Sequence, residues 1–505
     1  MTKSRLSRRD FLKLAGVLPV SLGLPGLVRG EGEGRRNVLV VVFDALTASN
    51  MSLYGYGRRT TPNIDRLARR AVVYHNHYAV GNYTTPGTAS LLTGVYPWTH
   101  RALQIDNDTI SRFTTRNIFS VFADYHRVAY SHNILVNTLF RQFHKHIDEL
   151  IPWAQLLLRS YLGMVGSAFG NDQDIATVWG ARGVRMGDDG YAYSLYLAHL
   201  YKALRGGEVP QKLLKAFPRG LPTTGTDSDF LLEQAIEWTA SLLTTLPNPF
   251  LGYFHFFPPH GPYNTSREFF NRFNGDRYEA PEKPISHLDV NWQTNYSQEY
   301  RKEYDEFVLY VDQQFKRFFD ELTASGLLEN TWLIVTSDHG EMFERGVRGH
   351  GVNTLYQPVV RIPLLIFEPG REVGINIHSP TSAVDVLPTL AHLTGYGVPE
   401  WMEGNVLPPY SNETNENRNL YMVQSEKTRR GDPLHRASAA MIKDPYKIHY
   451  YYGYTDLGVS ELVQLYDVQE DPEELVDLSK LKRGLMVELL EGLKAKIREA
   501  DQPYQ

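Results

Sequence analysis

The sequence predicts an α/β fold, a mostly parallel sheet sandwiched by helices with a smaller C-terminal α+β part, on three observations. Buried-strand patterns end in polar loops, helix-period segments lie between them, and the texture of the chain changes past about Gly395. The chain has 505 residues, 42% hydrophobic and 22% charged, so it carries enough apolar surface to bury a sizeable core.

The N-terminal residues come first. Ser7-Arg8-Arg9-Asp10-Phe11-Leu12-Lys13 precedes a mildly apolar run, Leu14 to Val28, broken by Pro19 and Pro25. This is the pattern of a twin-arginine export signal, an address rather than an anchor, with cleavage expected near Gly30. As a helix the apolar run would span only about 22 Å, short of the roughly 30 Å hydrocarbon core. No later segment offers twenty uninterrupted apolar residues, so the expectation is an exported, periplasmic or extracytoplasmic protein without a permanent membrane span.

Asn37 to Phe43 is a continuous apolar, largely β-branched run, the signature of a central parallel strand buried on both faces. It ends in Asp44, where open α/β sheets gather their ligands. Thr61 to Ala68 opens a helix with Pro62 in its first turn, and Ala71 to Tyr74 is a short strand. From Thr99 to Asp229 the pattern weakens: helical patches are expected at Trp153 to Tyr161 and Tyr191 to Leu204, with glycine breaks over Gly180 to Gly190, and no chemistry is assigned. Phe230 to Leu246 is helical, Phe250 to Phe256 a second buried strand, and Glu299 to Ser325 an amphipathic helix. Trp332 to Ser337 is a third buried strand, ending in Asp338-His339-Gly340-Glu341. Beyond Gly395, Tyr446 to Tyr452 and Leu462 to Tyr466 read as strands of a smaller sheet, and Leu481 to Glu499 as a closing helix.

Composition removes several function classes. A net charge of −5 without long like-charge runs gives no basic footprint for nucleic acid. Cysteine is absent, which excludes disulfides, thiolate metal sites and a cysteine nucleophile.

Asp44, Asp338 and His339 are metal-ligand types at the ends of predicted strands; taken singly, each also fits a turn, a cap or a loop histidine. Thr84-Thr85-Pro86-Gly87-Thr88 is a helix start with Thr85 as the expected cap and Pro86 at the first helical position. A hydroxyl just ahead of such a helix sits in positive potential, which favours an alkoxide there. His75 and His77 read as structural.

Together these segments resemble the sulfatases and sulfatase-like hydrolases and transferases of the alkaline phosphatase superfamily. The resemblance runs from Asn37 to Leu478, through Tyr54-Gly55-Tyr56-Gly57, Thr60 to Asp65, Thr84 to Pro97, His255 with Pro259-His260-Gly261-Pro262-Tyr263, Ser337 to Glu341, Gly349-His350-Gly351, Val384 to Leu390 and Leu465 to Pro472. It implies an alkaline-phosphatase/sulfatase-like catalytic domain over residues 37–395 and a C-terminal subdomain over 396–505 packed on it, after the twin-arginine signal peptide expected over 1–30. Sulfatases carry Cys-x-Pro-Ser-Arg, whose cysteine becomes formylglycine; here Thr84 takes the cysteine's place, and Gly87 and Thr88 stand for serine and arginine. Formylglycine is therefore excluded. Its hydrate attacks with one hydroxyl and expels sulfate with the other, whereas a threonine ester must be released by attack at the transferred centre, as in phosphoethanolamine transferases and lipoteichoic acid synthases.

By the same resemblance, Asp44, Thr84, Asp338 and His339 hold one divalent metal, zinc or manganese favoured, with calcium or magnesium also compatible. Pro258 stands where two-metal relatives place an aspartate, which argues for a single ion. His260 is placed on the transferring group's oxygens and His350 on the leaving oxygen or the nucleophile. His255 and Thr88 are substrate contacts or supports behind the ligands, His255 fitting a structural role equally. The expected activity is hydrolysis or transfer of phosphate, phosphonate or sulfate esters of a small molecule, glycan or lipid head group, through a covalent Thr84 intermediate. A true sulfuric ester hydrolase without formylglycine, and a non-catalytic glycan-binding envelope protein of the same fold, are the alternatives.

Overall fold

In the computed structural model, residues 35–105, 108–160, 211–224, 228–288, 294–411 and 418–505 are described. The twin-arginine motif, the Gly180 to Gly190 breaks and the Tyr191 to Leu204 patch lie outside the described residues.

Eight strands form the central sheet: β1 (Asn37–Phe43), β2 (Val72–Tyr74), β3 (His126–Ser131), β4 (Glu149–Leu150), β5 (Phe250–Phe256), β6 (Thr331–Thr336), β7 (Leu364–Phe367) and β8 (Ile375–Ile377). Their order is β8-β2-β7-β6-β1-β5-β3-β4, all parallel except β7, which runs antiparallel to both neighbours. Every residue of β1 is buried, as its uninterrupted apolar run requires of a strand covered on both faces.

Alternation along β1 feeds two layers of core. Leu39, Val41 and Phe43 pack with α4 (Leu232–Leu243) and the long α5 (Thr294–Ala324), through Phe307, Val311, Phe315 and Phe318. Val38, Val40 and Val42 face α2 (Thr84–Thr93), α3 (Ile134–Phe143) and α6 (Val386–Leu393). A shorter helix, α1 (Pro62–Leu67), starts with Pro62 as expected. This is the mostly parallel sheet covered by helices on both faces that the sequence predicts.

A second sheet is antiparallel, in the order β9 (Leu420–Gln424), β10 (Ala437–Lys443), β11 (Tyr446–Tyr452) and β12 (Glu461–Asp467). The closing helix α7 (Arg483–Asp501) covers one face through Leu489, Leu493 and Ile497. Residues Arg36–Gln505 form one compact unit that includes both sheets. Among the described residues no helix is long and apolar enough to cross a membrane.

Two sequence expectations are corrected. The helical patch expected from Trp153 to Tyr161 is not helical over its described residues, 153–160: a short 3-10 turn, Trp153–Leu156, leads into a strand, Leu157–Ser160, that pairs antiparallel with Ser228–Phe230. A few apolar residues without a sustained period cannot distinguish the two states, and the strand's partner lies far along the chain. At the head of α2, Tyr83 in extended conformation takes the cap position and Thr84 is already the first helical residue, so Thr85 is not the cap. Pro86 is tolerated at the third position because first-turn N–H groups have no partner within the helix.

Candidate active site

Parallel register brings the carboxyl ends of four strands together. Val42 pairs with His255 on one side and Thr336 on the other, and Ser131 pairs with His255. The residues just past these ends are therefore neighbours: Asp44 after β1, Asp338 and His339 after β6, and Asn133 after β3, with His255 between.

Asp44 and Asp338 are fully buried. Asp44 Oδ2 accepts a hydrogen bond from Asn133 Nδ2 at 2.7 Å and lies 3.3 Å from His255 Nε2. Asp44 Oδ1 has no hydrogen-bond partner and lies 3.4 Å from His339 Nε2. Asp338 Oδ1 accepts the backbone N–H groups of Ala45 at 3.3 Å and His339 at 3.0 Å. Ala45 reaches this position with a left-handed φ of 60°, an unusual conformation for alanine that aims its N–H at Asp338. Asp338 Oδ2 lies 3.6 Å from His339 Nε2, 3.7 Å from His255 Nε2 and 3.5 Å from the donating Thr88 hydroxyl.

His339 Nδ1 donates to the Gly340 carbonyl at 2.9 Å, which turns Nε2 into the site, 3.4 Å from Thr84 Oγ1. Ligand atoms of Asp44, Asp338 and His339 all lie within 4.8 Å of one another. Separations of this size from a common nitrogen match the edge of a tetrahedron with metal bonds of about 2.0–2.2 Å, roughly 3.3–3.6 Å.

The electrostatics also fit a cation. Burial and the charge of Asp44 raise the carboxyl of Asp338, while Asp44, which burial would raise, is held well below the usual range by the adjacent His255 and His339 imidazoles. Burial would lower His339, but Asp338 and Asp44 push it up to about 9. Two buried carboxylates thus retain a proton on the imidazole, and a divalent ion that displaces it satisfies the orphaned Asp44 oxygen as well. The donor set therefore fits one metal.

Thr84 is placed by a close approach of α2 to the strand end. A Cβ on Gly87 would lie 2.2 Å from the Asp338 carbonyl oxygen, so only glycine fits where serine was expected from the resemblance. Gly87→Ala must separate α2 from Asp338. It is expected to cost about 1–3 kcal/mol in a urea melt and about 10²-fold in turnover through misplacement of Thr84; an unchanged melt and rate would contradict this packing.

Two further histidines stand beside His339. The His350 ring centroid lies 4.4 Å from that of His339 and 4.6 Å from that of His260. His350 Nδ1 bonds Glu341 Oε1 at 3.0 Å, and the buried Glu341, which burial would raise, is lowered by His350. His260 Nδ1 donates to the Gly261 carbonyl at 2.7 Å, and burial lowers its pKa despite the charge of Asp44. His75 and His77 lie apart: His77 bonds Thr381, and His75 bonds Asn376 and stacks on His378.

The sequence reading had given no role to Asn133 or Glu341. Glu341 lay within a quoted motif, and the signal for Asn133 was a polar residue following a strand, in a segment left unassigned.

Residues 36–396 match the family described as Sulfatase, and residues 350–502 match the family described as N-sulphoglucosamine sulphohydrolase, C-terminal. The chain belongs to the sulfatase family. This sulfatase-family chain is 28% identical over 249 residues to choline-sulfatase of Rhizobium meliloti, covering 45% of each protein. It is 24% identical to the multifunctional alkaline phosphatase superfamily protein PehA of Trinickia caryophylli, over 74% of this chain and 77% of that protein. The chain spans about half the length of the first curated relatives it matches, 45% of choline-sulfatase and 51% of bovine arylsulfatase K. Its fold is shared with the phosphonate monoester hydrolase of Agrobacterium radiobacter, at a TM-score of 0.63 and 18% identity over 92% of this chain and 96% of that one. It is shared equally with BT4656 in complex with D-glucosamine-2-N,6-O-disulfate, at a TM-score of 0.64 and 16% identity over 93% and 98%.

Proposed function

We propose that this chain is an exported, metal-dependent ester hydrolase or transferase that acts on phosphate or phosphonate esters through a covalent Thr84 intermediate. The observation that carries this reading is Thr84 Oγ1 lying 3.4 Å from His339 Nε2, beside two buried carboxylates. Asp44, Asp338, His339 and the Thr84 oxygen would hold one divalent ion, zinc or manganese by their oxygen-rich donor set, and that ion supplies Lewis acidity and positive charge.

The remaining roles belong to the protein's own side chains. Thr84, in the first turn of α2, attacks the ester centre from a position where the helix N-terminus favours negative charge. His260, whose Nδ1–H is held by the Gly261 carbonyl, turns Nε2 to the transferring group and donates to its oxygens in the imidazolium form that the anionic ester favours. His350, held by Glu341 as a carboxylate holds a catalytic imidazole, gives a proton to the leaving oxygen. Water then releases Thr84 in a hydrolase, and an alcohol does so in a transferase. A single hydroxyl favours phosphorus, because release depends on attack at the transferred centre. The export reading rests on Ser7-Arg8-Arg9 and the apolar run after it.

Sulfate esters are the second reading, favoured by the match of residues 350–502 to a sulphohydrolase C-terminal region. Protein stripped with a chelator and reloaded with zinc or manganese separates the two on p-nitrophenyl phosphate, phenylphosphonate and sulfate. The expected result is turnover that tracks one bound metal per chain, with phosphorus esters preferred. Preference for sulfate by orders of magnitude would overturn the phosphorus assignment, and absence of all turnover would favour a binding protein.

A further inference from the structure

Asn133 caps α3: its Oδ1 accepts the Leu135 N–H at 2.9 Å. That bond fixes the amide, oxygen toward the helix and nitrogen toward the site. Nδ2 then lies 2.7 Å from Asp44 Oδ2 and 3.3 Å from Thr84 Oγ1. An amide nitrogen carries two hydrogens and no lone pair to accept with, so one N–H serves the carboxylate and the second serves the threonine oxygen. The residue is 5% exposed, so little water competes for either bond.

We propose that Asn133 is a catalytic donor to the Thr84 oxygen, an inference that rests on the nucleophilic role given to Thr84 above. In the first step the bond from Thr84 Oγ1 to phosphorus or sulfur forms as the ester O–P or O–S bond breaks. The threonine proton passes to solvent, and the leaving oxygen takes a proton from His350. In the second step water or an alcohol attacks the same centre and gives its proton to His350, while the bond to Thr84 Oγ1 breaks and that oxygen regains a proton from solvent. Charge on Thr84 Oγ1 is greatest as it attacks and again as it departs, and a fixed, buried N–H aimed at that oxygen stabilises both moments. The same amide ties the nucleophile to Asp44, so the two cannot drift independently.

The competing explanation is a helix cap alone, and three variants separate the two. Asn133→Asp and Asn133→Ser keep a good cap residue but lack the amide nitrogen that reaches Thr84; Asn133→Ala removes both. Each is compared with the metal-loaded full chain on the three p-nitrophenyl esters, with metal content, thermal melting and calorimetric affinity for orthovanadate, a mimic of the five-coordinate centre. The expected result is a fall in kcat of about 10²–10³-fold in all three variants. KM and metal content should hold in the Ser variant, which adds no charge beside Asp44 and should keep the wild-type melt, and orthovanadate affinity should fall by at least about tenfold.

Wild-type kcat in the Asp or Ser variant, with loss only in Ala, would reduce Asn133 to a cap. Activity restored by excess metal would assign it to Asp44 rather than Thr84. A dead Thr84→Ala beside a fully active Asn133→Asp removes the donor role and leaves the nucleophile standing. A fully active Thr84→Ala, or a wild type that neither turns over the esters nor binds orthovanadate, removes both.

Discussion

Thr84→Ala is expected to lower kcat by about 10⁴–10⁶-fold, the range seen when a covalent nucleophile or its base is removed. The fold should survive, because Thr84 is one small side chain at the head of α2, and the helix retains its core contacts through Ala89, Leu91 and Leu92. Metal content should change little, since Asp44, Asp338 and His339 remain. Thr84→Ser keeps an oxygen at the same place and should retain most of the turnover. A steady-state assay alongside thermal melting and metal analysis checks all three. Undiminished activity in Thr84→Ala would mean that water is activated directly and that no threonine ester forms.

The second large effect concerns stability. Glu474 is buried at a left-handed φ of 53°. Its Oε1 lies 2.9 Å from Lys447 Nζ and 3.0 Å from His449 Nε2, both on β11, and its Oε2 accepts the Gln357 N–H at 2.7 Å. The carbonyls of Glu473 and Glu474 accept bonds from Arg345, whose guanidinium stacks 4.1 Å over Tyr356. Arg345 forms the turn of the hairpin Met342–Gly349, which joins Glu341 to His350. Glu474→Gln leaves Lys447 buried without its counter-charge and should cost about 3–5 kcal/mol in a urea melt at neutral pH.

The pH dependence follows from the sign of the shift. Burial would raise Glu474, but Lys447 and His449 hold it far below the usual carboxylate range. A carboxyl depressed in the folded state adds stability above its unfolded pKa of about 4.3 and loses that stability as pH falls below it. The gap between wild type and Glu474→Gln should therefore narrow by about 1 kcal/mol between pH 6 and pH 3.5. A gap that stays constant or widens on acidification would contradict an ionised, ion-paired Glu474.

How much of this was legible follows from the physics of each element. Strands β1, β5 and β6 are buried on both faces, so they stand out as unbroken apolar runs, and their ends point at Asp44, His260 and Asp338. The period of α5 was equally plain. Strand β3 was missed because it begins with the half-buried His126 and Arg127 and reads as polar. With it went Asn133, the residue that joins Thr84 to Asp44. Strand β10 escaped because alanine is a weak strand former, and only its pairing with β9 and β11 holds it extended. The cap of α2 was misplaced by two residues because Tyr83 takes that role through backbone conformation alone, with no side-chain bond to announce it.

Mass analysis of the metal-loaded protein, quenched during turnover of an aryl phosphate and mapped by peptide, tests the covalent assignment at its source. One phosphoryl group on the peptide that holds Thr84, lost in Thr84→Ala, is the result expected. A phosphoryl group on any other residue, or rapid single-turnover cleavage with Thr84 unmodified at every time point, would contradict it.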